Sequence, residues 1–404
     1  MTHRSGRHFL QIPGPTNVPD RVLRAIDAPT IDHRGPDFAR LGLEILEGLR
    51  GVFKTSGPVV VYPASGTGAW EAALVNTLSP GDRVLAFETG HFATLWRAMA
   101  ERLGLEVQWV EGDWRHGADP ERAAEILAAD TNRDIRAVMV VHNETSTGVT
   151  SRIPDIRAAI DSTGHDALLL VDVISSLGSI DYRHEEWGVD VTVGGSQKGL
   201  MLPAGLSFNA VSPKALAASE HARTPRSYWD WKPIIEANET GFWPYTSATN
   251  LLYGLREALT MLLREEGLST AFARHERHAA ATRAAVEAWG LEVLALDPRE
   301  LSAVLTGVVV PDGYDADAVR HVILARFDMS LGAGLGKLKG RIFRIGHLGD
   351  FNDLMLAGTL CGVEMGLRLA GVPISPGVPA ALELLERASE AVASPPGVTG
   401  AVLA

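Results

Sequence analysis

Short apolar runs alternate with longer amphipathic stretches through the first half of the chain: residues 59–62 precede 69–78, residues 83–87 precede 93–103, and residues 138–142 precede 153–162. A run of four or five apolar, β-branched residues fits a strand buried on both faces. A ten-residue stretch with apolar positions three and four apart fits a helix. Adding the strand candidates 168–173 and 191–193, the pattern predicts an α/β fold whose mostly parallel sheet lies between helices. Ligands of such sheets sit beyond the C-terminal ends of the strands.

After an amphipathic stretch over residues 251–289 the texture changes, with strands expected at 291–296, 303–310 and 342–345 and helices at 315–326 and 350–370. This predicts a smaller α+β C-terminal domain. Pro13, Gly14, Pro15 and Pro19 rule against helix near the start. The expected division is an N-terminal arm at 1–24, a large domain at 25–265, a small domain at 266–390, and a mobile tail at 391–404 rich in Ala, Pro, Gly and Val.

Composition narrows the function. The 404 residues are 46% hydrophobic and 21% charged, enough for a large core. A net charge of -12 offers no footprint for nucleic acid or anionic membranes. With Cys361 as the one cysteine no intrachain disulfide forms, and no apolar run is long enough for a signal peptide or a membrane span. A cytoplasmic, soluble enzyme of small molecules is the expectation.

Several segments at the expected strand ends carry candidate chemistry. Ser65-Gly66-Thr67-Gly68 lies between a strand and a helix, where free amides meet an anion such as phosphate, although many such turns are Gly-rich for steric reasons alone. The polar cluster from His142 to Gly148 holds more hydroxyls and carboxylate than a helix cap needs, which favours a functional reading. Asp172 ends an apolar strand, and its buried carboxylate needs a partner: a cationic ligand group, or neighbouring amides or an Arg. Lys198, in Ser196-Gln197-Lys198-Gly199, is badly placed to reach solvent; burial would free its amine to attack an aldehyde, while the alternative is a solvated loop lysine. Arg344 suits bidentate capture of a carboxylate or, equally, an ion pair with an acid between the domains. His347 reads as structural. The run from Gly332 to Lys337 reads as a flexible turn, since it lacks the Ser/Thr of a nucleotide loop.

Together, Pro13-Gly14-Pro15-Thr16-Asn17, Asp32-His33-Arg34, Ser65-Gly66-Thr67-Gly68, His142-Asn143-Glu144-Thr145, Val171-Asp172, Gly195-Ser196-Gln197-Lys198-Gly199 and Phe343-Arg344-Ile345-Gly346-His347 resemble the class V, fold-type I aminotransferases that use pyridoxal 5'-phosphate (PLP). The resemblance is to the alanine/serine-glyoxylate family, nearest its bacterial serine-glyoxylate members. It implies that the large domain binds PLP and that Lys198 carries it as a Schiff base and moves the substrate proton. It further implies that Asp172 keeps the pyridine nitrogen protonated and that Ser65, Gly66, Thr67 and Gln197 hold the phosphate. Phe92 would stack on the ring, Thr145 would meet its 3'-oxygen, and Arg344 would bind the substrate α-carboxylate. The segment from Trp243 to Thr246 would cross to the partner of a homodimer, where Thr246 completes the phosphate site. No metal is implied. The reaction implied is transfer of the amino group of a small L-amino acid, best serine, to glyoxylate, giving hydroxypyruvate and glycine. Aspartate and alanine are the rival donors. Where related chains carry two prolines after Tyr-Thr, this one has Ser247-Ala248, which loosens the backbone there and bears on donor choice.

Rivals are weaker. A nucleotide-linked oxidoreductase needs a G-x-G-x-x-G after its first strand, which is missing. A cysteine desulfurase needs a cysteine on a loop, whereas Cys361 falls in a helical stretch. A non-catalytic binding module has no use for Lys198, Asp172 and Arg344 together.

Overall fold

Seven strands make the larger sheet of the computed structural model, which describes residues 5–393. Their order is Val59–Tyr62, Ser207–Val211, Val191–Gly195, Leu168–Asp172, Ile135–Val141, Arg83–Phe87 and Glu106–Val110. All are parallel except Ser207–Val211, which is antiparallel to both neighbours. Val59–Tyr62, Leu168–Asp172 and Val191–Gly195 are buried at every position, as strands covered on both faces must be. Glu106–Val110, not foreseen, is an edge strand with no fully buried residue, so the apolar pattern that marks the others is missing.

The second sheet runs Phe9–Gln11, Met329–Ala333, Ile342–Gly346, Leu305–Val309 and Glu292–Val293. Trp289, Phe343, Ile345, Leu356 and Leu360 form an apolar cluster of their own around it. Residues 251–289 are not one continuous helix: Thr249–Thr260 passes through a π turn, Met261–Glu266, and a new helix, Leu268–Trp289, begins after Gly267. Gly267 has φ +80°, a backbone state that ends a helix and favours glycine. The helix Val378–Ala393 was also not foreseen. The tail expected to be mobile, 391–404, begins inside that helix and otherwise lies outside the described residues. Among the described residues no helix is long and apolar enough to cross a membrane.

The N-terminal arm is non-helical, as its prolines require, and runs between the two sheets. Phe9–Gln11 pairs in parallel with Met329–Ala333. A Cβ on Gly346 would fall 2.3 Å from the Ile12 carbonyl oxygen, and one on Gly332 would fall 2.8 Å from Pro13 Cδ. Further on, the Thr16 amide donates to the Gln197 carbonyl at 3.2 Å. The glycine run from Gly332 is therefore not a flexible turn. It is the end of a strand and a 3-10 turn, Gly336–Leu338, pressed against neighbours, with Lys337 ion-paired to Glu88.

Candidate active site

Val141, Asp172 and Val193 are paired side by side across three parallel strands. The turns that follow must therefore emerge together at the C-terminal edge of the sheet. They enclose a cavity of about 280 Å³ lined by Ser65, Gly66, Thr67, Trp70, Phe92, Asn143, Thr145, Asp172, Ile174, Gln197 and Lys198, with Gly14 and Pro15 of the arm on one side. Eight of the expected site residues thus share one cavity.

Lys198 is buried, and its amine donates to the Pro13 carbonyl. Burial and the nearby Arg344 guanidinium bring its pKa down to about 7, against the pull of Asp172. Gly14 has a positive φ, and a Cβ there would lie 2.3 Å from Lys198 Cδ. Only glycine lets the arm close over the lysine. Asp172 is buried at the strand end; its Oδ1 accepts from the Ile174 amide at 2.6 Å and its Oδ2 from Trp70 Nε1 at 2.9 Å. Burial raises this carboxyl to about 7, opposed by those two donors, with Glu144 raising it and Lys198 lowering it.

Ser65 is not in a free loop. It is the N-cap of the helix Gly66–Thr77, in extended conformation with no side-chain capping bond. That helix starts three residues before the sequence pattern indicated, because its first turn is Gly-Thr-Gly and carries no apolar signal. Its leading amides face the cavity side, an arrangement that favours an anion. A Cβ on Gly66 would lie 2.3 Å from Ile174 Cδ1, which keeps this turn close to Asp172. Gln197 Oε1 is buried with no hydrogen-bond partner among the described residues, so this side-chain amide has bonding capacity left for a ligand. A phosphorylated pyridine aldehyde fits this set: helix amides for phosphate, a carboxyl for a cationic nitrogen and an amine for the aldehyde.

Arg344 does not line this cavity directly. It is buried in the strand Ile342–Gly346, opposite Gly307 and Gly332, with Nε donating to the Ala333 carbonyl at 2.8 Å and Nη1 to the Thr145 carbonyl at 2.5 Å. Among the described residues no carboxylate lies within 4 Å of Arg344 to make the ion pair with a domain-interface acid; burial brings its pKa down to about 10, against the pull of the more distant Glu144 carboxylate. Carbonyls hold one edge of the guanidinium and leave it short of an anion.

The cluster from His142 to Gly148 is more structural than expected. Glu144 accepts from the amides of Phe92 at 3.3 Å and Ala93 at 3.1 Å, and Ser146 Oγ accepts from the His91 amide at 2.9 Å. Both cap the helix His91–Arg102, whose own N-cap is a glycine without a side chain to do so. His142 is bonded to Ser176 Oγ at 2.9 Å and is held neutral by burial, with its pKa down to about 4. Of this cluster only Asn143 and Thr145 reach the cavity. His347 is buried between Thr306 Oγ1 at 3.0 Å and the Ala303 carbonyl at 3.1 Å, as a structural histidine should be.

The model of the family "Aminotransferase class-V" matches residues 8–335. The chain belongs to that family. A serine--glyoxylate aminotransferase of Methylorubrum extorquens is 50% identical over 382 residues, 93% of this chain and 95% of that protein. An L-aspartate--glyoxylate aminotransferase of Paracoccus denitrificans is 46% identical, over 91% of this chain and 92% of that one. Among solved structures, the ureidoglycine-glyoxylate aminotransferase of Bacillus subtilis superposes with a TM-score of 0.87 at 30% identity, covering 96% of this chain and 100% of that one. The chain is thus an α/β aminotransferase of the class-V, PLP-dependent kind, as its motifs indicated.

Thr246, unlike Arg344, is not even beside the cavity in one chain. It is exposed beside Thr30, Ile31 and His33 in a separate depression of about 310 Å³. Trp243, in the same segment, is anchored in this chain's core, where Nε1 donates to the Val61 carbonyl at 3.1 Å. Reading the sequence by its motifs missed Trp70, Ile174 and the Pro13 carbonyl. Nothing marks a backbone carbonyl in a sequence, and Trp70 reads as ordinary helix core.

Proposed function

We propose that this aminotransferase binds PLP at the cavity described and moves the amino group of L-serine to glyoxylate, giving hydroxypyruvate and glycine, in the cytoplasm. The observation that carries this is Arg344, a buried guanidinium with no carboxylate in ion-pair distance among the described residues, set beside the cavity that holds Lys198 and Asp172. PLP, when bound, supplies the electron sink that stabilises a carbanion at the amino acid's Cα. Lys198 would hold its aldehyde and then move a proton between Cα and the cofactor's C4' carbon. Asp172 would keep the pyridine nitrogen protonated. Ser65, Gly66, Thr67 and Gln197 would hold the phosphate, Phe92 would cover the ring, Thr145 would meet the 3'-oxygen, and Arg344 would orient the α-carboxylate of donor and acceptor alike.

Serine is preferred over aspartate on charge. Aspartate brings a second carboxylate, and among the described lining residues the one cationic side chain is Lys198, which is consumed by the cofactor. An uncompensated carboxylate in a buried site is costly. Serine needs one more polar contact, and alanine none. A panel of serine, aspartate and alanine with glyoxylate as acceptor tests this: serine should give the highest kcat/KM, and an aspartate preference would overturn the donor assignment.

The exposed Thr246 supports a homodimer in which the segment from Trp243 to Thr246 reaches the partner's phosphate site. Arg344→Lys should raise KM for both amino acid and glyoxylate about 10- to 100-fold with a smaller change in kcat, because an ammonium cannot hold a carboxylate through two parallel bonds. Steady-state kinetics check it; unchanged KM values would remove Arg344 from the pocket.

A further inference from the structure

We propose that Trp70 is a positioning residue for Asp172: its indole N–H fixes the carboxylate oxygen Oδ2 and thereby holds negative charge on Asp172 for a cationic ring nitrogen. The inference rests on the PLP reading above.

Trp70 stands in the first half of the helix Gly66–Thr77, whose N-terminal residues Ser65, Gly66 and Thr67 line the same cavity. One rigid element therefore carries both the anion cradle and the indole. Trp70 is 3% exposed, and Nε1 donates to Asp172 Oδ2 at 2.9 Å, while the Ile174 amide occupies Oδ1 at 2.6 Å. The indole is held in place by stacking on Trp96, with centroids 5.8 Å apart and planes 14° from parallel. Of the two indoles the Trp70 N–H is the one used: Trp96 Nε1 is buried with no partner among the described residues. A tryptophan at position 70 is more than core filling, since a Phe would stack as well and leave Oδ2 with one donor fewer.

The consequence follows from hydrogen-bond chemistry. A donor aimed at a carboxylate stabilises its ionised form. Without it Asp172 becomes more basic, and a proton shared with the ring nitrogen moves toward the carboxyl. The ring then withdraws fewer electrons, so the effect should fall on kcat and leave substrate binding alone.

The test compares Trp70→Phe with Trp96→Phe, both loaded with PLP, by titrating the bound cofactor's absorbance and by kinetics. In Trp70→Phe the titration midpoint should rise by about one pH unit and kcat should fall about tenfold with KM little changed, the size expected for one charge-assisted bond. Trp96→Phe loses no hydrogen bond and should leave both readouts near the parent. If Trp70→Phe fails to fold, 3-benzothienylalanine at position 70 keeps the ring shape without the N–H and should give the same shift. An unchanged midpoint in a folded, loaded Trp70 variant would overturn the inference, as would an equal shift in Trp96→Phe, which would point to packing. A parent protein that takes up no PLP would instead overturn the reading beneath it.

Discussion

Lys198→Ala is expected to lower transamination on the order of 10⁵-fold, because among the described residues no second amine lines the cavity to replace it. The physical basis is a lysine held at about 7, mainly by burial and then by Arg344. Capture of PLP by the cofactor-free protein should accelerate as pH rises to about 7 and level off above it, whereas an ordinary lysine would keep accelerating toward 10.4. Stopped-flow absorbance reads this directly, and a rate still climbing at pH 9 would contradict the assignment. The same depression has a stability sign. The folded value lies below the unfolded one, so the charged amine costs stability fully below about pH 7. The cost is relieved as pH rises from about 7 toward the unfolded value. Lys198→Met, with no charge and similar length, should therefore melt higher than the cofactor-free parent at pH 6, and the gap should narrow at pH 9. A variant that melts lower at both would show that the bond to Pro13 outweighs the buried charge.

The catalytic half of the molecule was legible because its strands are buried on both faces and bounded by turns. Val59–Tyr62 and Arg83–Phe87 end where the apolar runs end. Leu168–Asp172 stops at the carboxylate that chemistry singled out. Strands that broke the pattern were not seen: Ser207–Val211 carries Asn209, bonded to Tyr62 at 3.1 Å, inside the sheet, and Met329–Ala333 has a glycine at 332 to make room for Pro13 and Arg344. A tertiary contact decided each of these, and local preference cannot report it.

The site shows the same boundary. Lys198 and Asp172 announce themselves as charged residues at apolar strand ends. Glu144 announces itself equally, yet its oxygens go to the helix His91–Arg102, so a polar cluster at a strand end does not by itself separate a cap from a catalyst. Arg344 was balanced between two readings in the sequence. Among the described residues no carboxylate comes within ion-pair distance of it, Glu144 acting only from further away, and that fact of packing is what tips the balance.

Asp172→Asn should lower kcat about 10³-fold while the variant still folds and takes up PLP, since the helix amides and Lys198 are untouched. In the cofactor-free protein burial leaves this carboxyl near 7 despite the donors from Ile174 and Trp70. A cationic ring nitrogen beside it would bring that value down and keep it ionised at working pH. An asparagine has no charge to return. Its Nδ2 must also face one of two N–H donors, at 2.6 Å or 2.9 Å in the parent, which leaves a buried donor unpaired at about 1–3 kcal/mol. The folded carboxyl lies above its unfolded value, so the cofactor-free parent loses stability as pH rises from about 4 to about 7. Binding a cation there restores it. The rise in melting temperature on adding PLP at pH 8 should consequently be larger for the parent than for Asp172→Asn. Equal rises, or a kcat within a few-fold of the parent, would mean that Asp172 does not meet the ring nitrogen and that its burial serves the sheet alone.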